Sequence, residues 1–155
     1  MIRILVAILI LLPLHGFSQG FINQSKKEVR KHLQEQMARQ DTIEAVLNET
    51  DSSIHFQFRD SRLLHADFIY LFDEKGKCRT EISIASCDSC FKKYLNAAID
   101  RKKYGWQKLN ANTYISSFSK KMLLEIPSSI NTPNSFIIRR MKWNRDAYQT
   151  LLRSK

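Results

Sequence analysis

Glycine is scarce in this chain, with four in 155 residues, at positions 16, 20, 76 and 105 and never grouped. A loop that wraps a phosphate needs several glycines close together, so the nucleotide-binding signatures built on them are excluded. The G-x-S-x-G turn of a serine hydrolase and the H-E-x-x-H pair of a zinc protease are missing too. The longest apolar run, Ile4 to Leu14, falls well short of the roughly 20 residues that span a membrane as a helix. Acid is missing from one end: residues 101–155 hold twelve Lys and Arg but only Glu125 and Asp146. Outside the first residues, the histidines are His32, His55 and His65. One falls on a helix, one on the polar face of a strand and one at a strand start, which sets up no catalytic base. No catalytic residue, cofactor or metal set is implied by these patterns.

What is present begins with an export signature. Arg3 supplies the positive n-region, Ile4 to Leu14 the apolar stretch, and Pro13 a helix break. Gly16 and Ser18 are the small residues that precede cleavage before Gln19. Residues 1–18 are therefore an expected signal peptide, and 19–155 a single domain in the periplasm or outside the cell. No cysteine follows the apolar run, so lipid anchoring there is not expected. At 43% hydrophobic, the remaining chain can bury one modest core.

Ser25-Lys26-Lys27-Glu28 reads as a capping box, and Val29, Leu33 and Met37 follow as a narrow stripe on one helix. That helix ends near Arg39 to Asp41, and Thr42 to Asn48 leans to strand. The period then changes to two, with Ile54, Phe56 and Phe58 inward. His65 to Asp73 is apolar on both faces, the pattern of a central strand covered on both sides. A turn at Asp73 to Lys77 returns the chain through Cys78 to Ala85, with Cys78, Thr80, Ile82 and Ile84 as the expected buried face. Phe91, Tyr94, Leu95, Ala98 and Ile99 share a helix face, and Gly105 closes that segment, about 88–104. Short strands follow at 106–109, 113–118, 121–126 and 135–142, then a closing helix from Asn144. Strands joined by short turns give an antiparallel sheet of six to eight strands with helices packed on it, the α+β class.

Three cysteines leave one over. An extended strand separates Cys78 from Cys87 by roughly 30 Å at ~3.3 Å per residue, far beyond the ~7 Å limit of a disulfide. Cys78 is therefore read as a buried thiol. Cys87 and Cys90 are within reach of each other across one helical turn. A local structural disulfide, a redox dithiol and two unpaired thiols all remain open. A helix start favours thiolate, but Asp88 beside the pair works against it and no thioredoxin-like strand-helix-strand unit leads in. A zinc site would need a second ligand pair, and none exists.

The remaining charge is lopsided. Residues 19–100 are nearly balanced, while 101–155 carry almost all of the net +10. Arg139, Arg140 and Lys142, with Lys120 and Lys121, are candidate contacts to a polyanion or an anionic surface. A solvated face that keeps the protein soluble is the simpler reading. Sequence-specific nucleic-acid binding is not expected, because Ser135 to Ile138 supplies no polar base-reading positions. Taken together, the signal ending Phe17-Ser18-Gln19, the opening Ser25-Lys26-Lys27-Glu28-Val29, the IYLFDEKGKC hairpin and the Tyr94-to-Trp106 stretch resemble the small exported α+β proteins of Bacteroidetes-type bacteria. The resemblance implies an envelope domain with no catalytic residues to carry over. The expected role is non-catalytic binding of an envelope partner or ligand; the alternatives are thiol-disulfide exchange at Cys87 and Cys90 or polyanion binding.

Overall fold

Ser25 opens the first helix as the sequence predicts. Its hydroxyl accepts from the Glu28 amide, and the Glu28 carboxylate accepts from the Ser25 amide at 2.7 Å. In the computed structural model, which describes residues 20–39, 44–59, 65–128 and 134–153, this helix is α1 (Lys26–Ala38). The expected signal peptide and its cleavage point lie outside those residues. After α1 come β1 (Glu44–Glu49), β2 (Ser53–Arg59), β3 (His65–Phe72) and β4 (Cys78–Ala85). A second helix, α2 (Asp88–Ile99), leads to β5 (Gln107–Asn110), β6 (Thr113–Ile115), β7 (Met122–Glu125) and β8 (Ser135–Arg140), and α3 (Arg145–Arg153) closes the chain. The second helix is shorter than expected. Asp100 caps it, and a separate 3-10 turn at Lys102–Tyr104 runs into the left-handed Gly105.

The eight strands form one antiparallel sheet in the order β1-β2-β3-β4-β8-β7-β6-β5. A helix followed by a four-stranded meander occurs twice, and the order is symmetric about the β4–β8 pair. Nothing in the sequence displays this repeat, because the two halves share topology and not residues.

Both leading helices lie on one face. Val29 and Leu33 of α1 pack on Ile54, Phe56, Phe68 and Tyr70. Ala98 of α2 packs with Met122, Leu124, Phe136 and Ile138. Each such aromatic or aliphatic side chain gains about 1.5–3 kcal/mol on burial, which holds the helices to the sheet. On the other face α3 covers only the β5–β7 end, where Trp143 and Tyr148 enclose Ile115 and Leu123. Among the described residues no other helix covers that face. Strand β3 is central in the sheet but covered on one side only, contrary to its sequence pattern: Leu71 is 38% exposed.

Candidate functional site

The open face owes its character to a slip in β4. The β3–β4 pairing runs evenly from Ala66 opposite Ala85 to Leu71 opposite Thr80, then shifts so that Phe72 pairs with Cys78. Arg79 is the extra residue, and one extra residue reverses the faces of everything beyond it. Cys78 is buried as expected, but Thr80, Ile82 and Ile84 turn to the open face. Glu81, Ser83 and Ala85 turn under the helices instead. The expectation that Cys78 shares its face with Ile82 and Ile84 is thus corrected by the bulge.

Across the open face, His55, Ile69, Ile82, Ile137 and Glu125 stand opposite one another in register from β2 to β7. Three isoleucines form the middle of this row and polar residues its ends. Leu71 and Thr80 flank it on one side, Asp67 and Ile84 on the other. Val46, 52% exposed, extends the apolar surface onto edge strand β1. Around this surface Arg139 lies 3.1 Å from Glu125, and Asp67 accepts from Gln57 at 3.0 Å and lies 3.7 Å from His55. Near the β1 edge a depression of about 210 Å³ is lined by Glu44, Val46, Gln57, Arg59, His65 and Asp67, among others.

The opposite face carries what the slip displaced. Glu81 is 5% exposed. Its carboxylate accepts the amides of Phe21 and Ile22 and lies 3.7 Å from the Arg101 guanidinium. Burial nevertheless dominates and pushes the Glu81 carboxyl up, with Arg101 and the two amides opposing. The Tyr104 hydroxyl is also raised by burial, to about 12, with the Glu81 charge adding to it. Gly20 passes so close that a β-carbon there would come within 2.2 Å of the Tyr104 hydroxyl and 2.6 Å of Arg101 Nη1. Any larger residue there would have to displace the Tyr104 and Arg101 side-chain ends. No local sequence pattern marks this cluster, because the inward turn of Glu81 depends on the bulge.

The CDSC turn stands where β4 passes into α2. Cys87 and Cys90 stand at disulfide distance, with Cα atoms 5.2 Å apart. Cys87 caps the helix, and its sulfur accepts from the Cys90 amide at 3.1 Å. Ser89 Oγ lies 3.2 Å from the same sulfur. Asp88 lies 2.7 Å from Lys92 in an exposed ion pair. Backbone and hydroxyl bonds between Ser86 and His65 tie the turn to the start of β3. Cys78 is a buried free thiol, pushed up by burial and next by the Glu81 charge. Among the described residues no group of acidic, histidine and cysteine side chains could hold a metal ion.

The basic candidates divide between faces. Arg139 is on the open face with Glu125, whereas Arg140 lies in register with buried Met122 on the helix-covered side. The Met141 amide donates to the Lys121 carbonyl at 2.7 Å, which brings Lys120 and Lys121 to the start of the 141–142 segment. Lys103 is pushed down by burial and next by the like charge of Arg101, with Glu81 opposing and Lys120 adding to the lowering. Comparison with known proteins finds no matching family, no similar curated protein and no similar solved structure. No helix among the described residues is long and apolar enough to cross a membrane.

Proposed function

We propose that the chain is an exported, non-catalytic domain that binds a protein partner through the open face of its sheet. The partner it suits presents a flat, apolar and uncharged surface. One observation carries this reading: the β4 bulge leaves Ile82 and Ile84 half-buried on the face without helices α1 and α2 and turns Glu81 and Ser83 into the core. A sheet selected for stability alone would place those residues the other way round, since burying Glu81 carries a desolvation cost. The neutral character of the face, in a chain of net charge +10, fits an apolar partner better than a charged one. The apolar leader at 1–18 supports export.

The test places a photo-crosslinking residue at position 71 on the open face, or at position 31 on exposed Lys31 of α1. A discrete adduct from the envelope fraction at 71, missing at 31, is expected. Adding Ile82→Arg removes the adduct and leaves the circular dichroism unchanged. Equal labelling from both positions, or an adduct that survives Ile82→Arg, overturns the reading. The excess of Lys and Arg in residues 101–155 favours polyanion binding as a second, separate reading.

A further inference from the structure

We propose that the Cys87–Cys90 disulfide is a site of thiol–disulfide exchange, accepting two electrons from thiols that reach the start of α2. The two sulfurs are placed unequally. Cys87 is half-buried between the exposed residues Ser86, Asp88 and Ser89, while Cys90 is buried against the sheet. An incoming thiolate therefore attacks Cys87 Sγ. A new S–S bond forms to Cys87 as the Cys87–Cys90 bond breaks, and Cys90 leaves with the electron pair and takes a proton from water. A second thiolate of the reductant then attacks the reductant's own first sulfur and expels Cys87 as a thiolate. Two thiols become one disulfide, Cys87 and Cys90 become the reduced pair, and one of the two protons is released.

The surroundings favour that reduced state. The Cys90 amide and the Ser89 hydroxyl both reach the Cys87 sulfur, and the free amides of the first turn of a 12-residue helix add their dipoles. A thiolate gains from all three, whereas a disulfide sulfur is a poor acceptor. Asp88, the one acidic neighbour in sequence, is exposed to solvent and turned to Lys92 at 2.7 Å. A disulfide whose reduced form is stabilised gives up its oxidised state readily. Cys78 takes no part, being buried at the opposite end of β4.

The full chain is equilibrated in a series of glutathione buffers at neutral pH, quenched in acid, alkylated and mapped by mass. Cys87 and Cys90 are expected to become labelled together while Cys78 stays unmodified and the circular dichroism is unchanged. A pair that stays oxidised throughout, or is reduced only as the fold is lost, overturns the proposal. In Cys90→Ser, the alkylation rate of Cys87 against pH should have its midpoint at least about one unit below the ~8.5 of an ordinary thiol, and Ser89→Ala should raise it. A midpoint at or above ~8.5 is the opposing result; if Cys90→Ser does not fold, the glutathione series decides. A reduced two-cysteine peptide in place of glutathione identifies the source: oxidation at least tenfold faster marks polypeptide thiols, equal rates mark small thiols. These residues are separate from Leu71 and Ile82, so either proposal can fail without the other.

Discussion

Glu81 shows how a single side chain can be both a cost and a fastener. Its two amide bonds hold the segment at Phe21 and Ile22, and Arg101 supplies a positive charge. Even so, desolvation wins and the carboxyl pKa is raised above its ordinary 4.5. A raised carboxyl binds its proton more tightly in the folded chain than in the unfolded one. Its stabilising contribution is therefore complete below the unfolded pKa and is lost as pH rises through the folded value. Glu81→Gln mimics the protonated form, so it should match the unsubstituted protein in acid and become the more stable of the two towards neutrality. Urea melts of both at several pH values between about 4 and 8 check this. A gap that opens the other way would mean that Arg101 outweighs burial. Glu81→Leu, which strands two amides and the guanidinium, should cost about 3 kcal/mol in acid, and the deficit should shrink towards neutrality as the unsubstituted protein loses the Glu81 contribution.

The elements were legible in the sequence wherever the signal was local. The capping box of α1 needs only Ser25 and Glu28 three residues apart, and it forms as read. Ser25→Ala should cost about 1 kcal/mol in thermal or urea melts. The Glu28 carboxyl is held below its usual range by the Ser25 side chain first and the Ser25 backbone next. That contribution is present above the unfolded pKa and disappears as pH falls through the folded one, so the Ser25→Ala deficit should shrink in acid. Period-two alternation likewise placed Ile54, Phe56 and Phe58 inward. It failed at β4, because a bulge is a property of two paired strands and Arg79 alone carries no mark of it. The apolar character of β3 on both faces was a real signal misassigned: it meant an exposed apolar surface and not a second covering layer. Cys87 and Cys90 were correctly seen as a local pair, but that Asp88 would turn to Lys92 is a matter of side-chain geometry at the helix start.

At the scale of the molecule, the doubled helix-and-meander plan determines which surfaces are free. Two helices on one face leave the other to a single α3, and α3 reaches only the β5–β7 end. The same plan separates charge from apolar surface. Residues 101–155 wind through β5 to β8 and carry most of the net charge, yet their one basic side chain shown on the open row's border, Arg139, is matched by Glu125. Arg140 falls on the other side of β8 from it, and Lys120 adds its charge to that of Arg101 at Lys103. Binding to a sulfated or phosphorylated polymer should therefore depend on the second group. Elution from a heparin column is set by how many counterions each contact releases, so losing a contact lowers the slope of log affinity against log salt by up to ~0.9. Arg140→Gln with Lys120→Gln is expected to lower that slope by more than one. Arg139→Gln, whose charge already has an internal partner, should change it by much less. Equal losses from the two variants would mean that net charge alone governs retention, and the basic end would then be a solvated surface with no site in it.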